Sequence, residues 1–154
     1  MDRLVAAGVR LSHFHLRVSV IRAMPFDWSE YLGLANELGK RTDEASLRSA
    51  LSRAYYYVYH LALKRAQDND FKALAGEGTH SQLWRVFGTN PDPDCRKLAA
   101  IGVRLKEKRE RADYSSVYPR VQEEIPEVLS DARDFATRLG NLHSRLPNPR
   151  SQRQ

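Results

Sequence analysis

Cysteine is nearly absent from this chain: Cys95 is the single one in 154 residues. One thiol excludes an intramolecular disulfide and fits a reducing compartment. No apolar run approaches the roughly 18 residues that a membrane-spanning helix needs, so we expect a cytoplasmic protein with no membrane partner. Nor is there a convincing β-hairpin, an internal repeat or a low-complexity block, which removes sandwiches, solenoids and fibrous arrays from consideration. Hydrophobic residues, at 42%, suffice for one core, and charged residues, at 29%, suit a soluble surface. The length fits one domain.

Acidic residues are in deficit. Lys and Arg number 25 against 19 Asp and Glu, a net charge of +6. A surplus of this size favours polyanionic partners, RNA and DNA among them, through long-range steering.

Residues 1–23 stand apart. Asp2 is their one acid against Arg3, Arg10, Arg17 and Arg22. Phe14, Leu16, Val18 and Val20 alternate like a strand, but no second run exists to pair with them. His13 and His15 would share a face of such a strand, and two histidines do not make a metal site. We expect an extension that is disordered or loosely attached.

From Met24 onward the apolar spacing is helical. Asp27 is a candidate N-cap with Glu30 closing a capping box, while Phe26 and Tyr31 form a hydrophobic staple. Gly39 ends this first helix. A second is predicted over 43–67, capped by Thr42 or Asp43, with Leu47, Leu51, Ala54, Val58, Leu61 and Ala62 as its buried stripe. A short helix begins near Thr79, with Gln82 closing its box and Leu83, Trp84 and Phe87 on its apolar side. Asp92 and Pro93 open a fourth, over 93–112, which buries Leu98, Ile101, Leu105 and Ala112. The last spans 121–142, with Pro126 tolerable only near its first turn. Residues 143–154, rich in proline and polar groups, are expected to be a disordered tail. The fold class is therefore all-α: an antiparallel bundle of four long helices and one short helix over residues 24–142.

The second helix contains RAYYYVYH, residues 53–60. At about 100° per residue, Arg53 and His60 lie only about 20° apart on the wheel, away from the buried stripe. Lys64 falls on the same line, with Tyr57 beside it.

In their order, the capped MPFDWSEYLGLA, the SRAYYYVYHLALKRA segment, THSQLWRVF and LAAIGVRLKEKRERADYSS resemble the HEPN superfamily (higher eukaryotes and prokaryotes nucleotide-binding domain), close to its small stand-alone members. The resemblance covers about residues 24–142. It rests on an Arg-x6-His motif, Arg53 and His60, lying mid-helix beside AYY, and on a downstream R…ADY element made by Arg109 or Arg111 with Ala112, Asp113 and Tyr114. Many proteins of this family are metal-independent endoribonucleases, often toxins held by a nucleotidyltransferase-type (MNT) antitoxin. The resemblance thus implies RNA as substrate, no metal or cofactor, and a two-fold homodimer whose shared cleft would hold two Arg53 and two His60. Its alternative is a non-catalytic module that binds nucleotide or the nucleotidyltransferase partner.

The chemistry matches those residue types. Cleavage through the ribose 2′-hydroxyl needs a proton acceptor and a group that stabilises charge on the five-coordinate phosphorus. An imidazole titrating near neutrality serves the first need, and a permanently charged guanidinium the second. Two turns of helix separate the pair by about 10.5 Å. Tyr56 and Tyr57 could stack on splayed bases, and Lys64, Arg104, Lys108 and Arg111 could guide the phosphate chain. Two departures from the family pattern stand out. Ala54 follows Arg53 where many active members carry a polar residue, and Ala62 occupies the place of a tyrosine that some antitoxins modify. Without the resemblance, Arg53 would read as an ion-pair partner, Tyr55 and Tyr59 as packing residues, and His80 as part of a helix start.

Overall fold

A computed structural model describes residues 24–146, so the expectations for residues 1–23 and for 147–154 lie outside it. Among the described residues there are five helices and no strand: α1 (Ser29–Gly39), α2 (Glu44–Gln67), α3 (Thr79–Gly88), α4 (Pro93–Tyr114) and α5 (Val121–Gly140). Three of them are long, at 24, 22 and 20 residues, and two are short, at 11 and 10. The helix expected between Asp27 and Gly39 is present as α1, but at 11 residues it is short, so the bundle has three long helices where four were expected.

Local chemistry explains most of the boundaries. The Asp43 carboxylate accepts from the Ser46 N–H at 3.0 Å and caps α2. Hydrogen bonding to Ser46, with Arg41 adding to it, holds this carboxyl down at a pKa of about 2. Asp92 likewise accepts from the Asp94 N–H at 2.8 Å, with Pro93 in the first turn of α4. Asp27 accepts from the Ser29 N–H at 2.9 Å, and the start of α1 has no side-chain cap of the expected kind. Phe26 does meet Tyr31 edge-on, with ring centroids 5.4 Å apart. In α3 the N-cap is Gly78, whose extended backbone carries no side-chain cap. Gln82, expected to close a box there, is instead buried at 2% exposure. Its amide accepts from the Leu74 N–H at 2.7 Å and donates to the Leu74 and Glu77 carbonyls, tying down the loop that precedes α3. Pro126 lies in the second turn of α5, where the carbonyl it leaves without a donor belongs to the exposed Gln122.

The central helix is α2, which touches all four others. Leu47, Leu51, Ala54, Val58 and Ala62 are buried as the wheel requires, while Leu61, expected with them, is only partly buried. Around them Tyr55, Leu83, Phe87, Leu98, Leu105, Val128 and Phe135 are each at 0% exposure. Between α3 and α4 the contact is unusually close, since a Cβ on Gly102 would collide with the Trp84 ring.

The first residues of the expected tail are packed against the bundle. Leu146 is 1% exposed, its N–H donates to Asn69 Oδ1 at 3.0 Å, and Asn90 donates to the Arg145 carbonyl at 3.1 Å. The Ser144 hydroxyl bonds the Asp92 carboxylate, and Arg65 donates to the Leu142 carbonyl at 2.6 Å. Four residues past 142 thus belong to the fold.

Candidate functional site

Arg53 and His60 lie along the flank of α2 that the start of α1 covers. The Arg53 guanidinium sits over the Tyr31 ring, 4.6 Å from its centroid, and 5.3 Å from that of Tyr56. Among the described residues its one hydrogen bond is a long 3.5 Å contact with the Ser52 hydroxyl. Among the described residues Arg53 makes no ion pair. An ion pair with an acid on another helix, its role if the resemblance is set aside, is thus not found among the described residues. His60 stacks on Trp28, with centroids 3.3 Å apart and planes 6° from parallel. Burial lowers its pKa below the ordinary imidazole value, so near neutrality it is uncharged and able to accept a proton.

Tyr56 links the two. Its centroid is 6.3 Å from the His60 ring, and its hydroxyl accepts from Arg109 Nη2 at 2.5 Å. The Arg109 guanidinium lies 5.1 Å from the same ring, and its Nε is 2.8 Å from Asp113 Oδ2. Burial works against the charge on Arg109, but the phenol and the Asp113 carboxylate outweigh it and raise its pKa further. Asp113 in turn accepts a long 3.5 Å bond from Ser52, the residue beside Arg53. The R…ADY element therefore reaches the Arg53 line through Arg109 and Asp113.

A second imidazole completes the ring of groups. His80, in the first turn of α3, stacks on Tyr59 at 4.0 Å and meets Tyr56 edge-on at 6.1 Å. Its Nδ1 lies 2.6 Å from the Tyr55 hydroxyl, and that oxygen also accepts from Trp84 Nε1 at 3.3 Å. Burial is the largest cause of a lowered His80 pKa, with Arg109, Lys106 and His60 adding to it and Glu110 opposing. Two guanidiniums and two imidazoles from α2, α3 and α4 thus surround one tyrosine ring within a single subunit. A half-buried cluster of permanent cations and neutral imidazoles can bind an anion and exchange protons with it.

Other residues expected at the site are elsewhere. Tyr57 is buried at 8% exposure and packs in the core, which leaves it no face for a base. Lys64 pairs with Asp68 at 2.8 Å and lines a cleft of about 280 Å³ with Leu61, Ala136 and Leu139, between α2 and α5. Arg104, Lys108 and Arg111 face α5. Arg104 bonds Asp131 at 2.7 Å, Lys108 lies 3.0 Å from Glu127 and 3.4 Å from Glu124, and Arg111 is 3.8 Å from Glu124. Burial would raise the Glu124 carboxyl, but the Tyr118 hydroxyl and the Lys108 ammonium outweigh it and hold its pKa low. Ala54 and Ala62 are both fully buried, so neither position opens onto the site.

Arg109 and His80 are the members that sequence reasoning left out of the site. For Arg109 a signal existed, because on the α4 wheel it falls about 140° from Arg104, on the side of Gly102 and Asp113. For His80 none did, since the loop before α3 sets its approach. Among the described residues no three His, Cys, Asp or Glu side chains gather as a metal-binding group.

Comparison of the chain with protein-family models, with curated proteins and with solved structures finds no match.

Proposed function

We propose that this chain is a HEPN-type endoribonuclease, a toxin or defence effector that cleaves RNA through the ribose 2′-hydroxyl without a metal. His60 takes the hydroxyl proton, Arg53 stabilises the charge that builds on phosphorus, and Tyr56 offers a ring to a neighbouring base. The observation that carries this reading is the state of Arg53: a half-buried guanidinium with no carboxylate partner among the described residues, joined to an uncharged imidazole by Tyr56. A cation so placed has its charge available for a phosphate. In this reading the HEPN arrangement of helices and its homodimer come from the resemblance, and a second subunit would double the ring around Tyr56 rather than complete it.

The stack of His60 on Trp28 favours a second reading, a non-catalytic module that binds nucleotide or a nucleotidyltransferase-type partner. An imidazole covered by an indole is poorly placed for proton transfer until the indole moves.

Incubation with RNA in EDTA separates the two. Cleavage that leaves 2′,3′-cyclic phosphate ends, and is lost in both Arg53→Ala and His60→Ala, supports the enzyme. Tight nucleotide or partner binding with no cleavage supports the module. A monomer at micromolar concentration removes the dimer from either reading.

A further inference from the structure

His80 has a feature that His60 lacks: its tautomer is fixed. The Tyr55 oxygen already accepts the Trp84 Nε1–H, and among the described residues the other polar partner of its hydroxyl is His80 Nδ1. A phenol has one proton to give, so that proton goes to Nδ1 and the neutral imidazole carries its own proton on Nε2. Tyr55 is fully buried, and burial raises its pKa far above the ordinary phenol value, so it stays a donor. The ring is also held against Tyr59 and the edge of Tyr56. A second proton on the ring would set two donors, from Trp84 and Nδ1, on the Tyr55 oxygen and leave the Tyr55 proton without an acceptor. The charged groups near the ring are Arg109, Lys106 and Glu110 of α4, whose balance is positive, and the titratable His60 of α2 also faces it.

We propose that His80 is a phosphate-binding residue of this site, an uncharged imidazole that gives its Nε2–H to a non-bridging oxygen of an RNA phosphodiester beside Arg109. The inference rests on the ribonuclease reading and deepens it. It divides the two imidazoles by role: His60, with no hydrogen bond to a described residue, moves protons, while His80 donates one fixed hydrogen bond. Tyr55 and Trp84 are positioning residues that act through His80.

The test uses the full chain and a short single-stranded RNA with every 2′-hydroxyl methylated, which binds but cannot be cut. We expect His80→Ala to weaken binding about tenfold, the loss of one hydrogen bond to a charged acceptor. The slope of affinity against salt should not change, because no cation is lost. Arg109→Gln should weaken binding and also reduce that slope by about one. His80→Gln, whose amide N–H stands near the Nε2 position, should keep most of the affinity. Tyr55→Phe, which frees the tautomer while keeping the ring, should lose a few-fold; if His80→Ala fails to fold, these last two variants carry the test. Unchanged binding in His80→Ala and Tyr55→Phe overturns the proposal, as does a fall in the salt slope for His80→Ala, which marks a bound imidazolium. If RNA cleavage depends on Arg53 and His60 while His80→Ala binds as wild type, this inference falls alone. If the wild type neither binds nor cleaves RNA, the ribonuclease reading falls with it.

Discussion

Along α4, Arg104, Lys108 and Arg111 form one stripe, and Gly102, Lys106, Arg109 and Asp113 form another on the far side. Cations on the first stripe reach across to acids of α5: Asp131, Glu124 and Glu127. Among the described residues those on the second pair only along their own helix, Lys106 with Glu110 at 2.9 Å and Arg109 with Asp113, and Arg109 also leans on Tyr56. Two faces of similar composition therefore differ in what their charge does. One fastens helices together, and the other adds positive potential to a half-buried aromatic site. A net charge of +6 says little about where a polyanion would bind until each cation has been matched to its acid.

Replacing site residues and α5-facing residues in parallel breaks the comparison most sharply. His60→Ala or Arg53→Ala should lower RNA cleavage by about 10²- to 10⁴-fold, whereas Lys108→Ala and Arg104→Ala should leave the specific rate within about twofold in a single-turnover assay. If the α5-facing variants lose activity equally while remaining folded, the division between the stripes is wrong.

Next in size is Gly102→Val. Its side chain would enter the space of the Trp84 ring, and overpacking of this kind costs about 3 kcal/mol, readable as a lower urea midpoint. Lys108→Ala comes after it. The Lys108 and Glu124 side chains are only 14% and 17% exposed, so leaving Glu124 with the Tyr118 hydroxyl and the more distant Arg111 should cost about 1 to 2 kcal/mol, measured in the same melts.

The pH response should come from the site rather than from the α5 seam over the neutral range. His60 and His80 have folded pKa values below 6.5, so the unfolded chain binds more protons as pH falls through the imidazole range. Stability is then full above about 6.5 and declines below it. Thermal melts from pH 7.5 to 5.5 should drop for the wild type and flatten in the double variant His60→Ala, His80→Gln. Glu124, held low, adds its own loss only at more acid pH. The smallest effect is expected for Arg104→Ala: that side chain is 42% exposed, and the change should cost under about 1 kcal/mol. A larger loss would mean that the α5 seam depends on it more than its exposure implies.

How much of this was legible in the chain depends on the range of the interactions concerned. Asp43 and Asp92 bond backbone N–H groups two or three residues away, so the starts of α2 and α4 could be read directly. The common line of Arg53 and His60 followed from helical periodicity alone. Gln82 was misread because its partners, Leu74 and Glu77, lie in a loop whose path no local rule sets. Tyr57 was taken for a surface ring because it stands close to Arg53 and His60 on the wheel, yet it is buried; it also lies only about 60° from Ala54 of the buried stripe. Arg104, Lys108 and Arg111 were grouped with the site by sign of charge, and only the position of α5 shows that they are already matched. The packed segment 143–146 is held by Asn69, Asn90 and Asp92, contacts more than fifty residues away in sequence.

The missing side chain at position 102 ties two helices to a joint history. With the Trp84 indole filling the space where a methyl would stand, the two sites cannot vary independently. Any related chain that gains bulk at the first must give up ring area at the second, and with it the donor that steadies the phenol behind His80. A drift in α4 packing would thus register as looser control of an imidazole on α3.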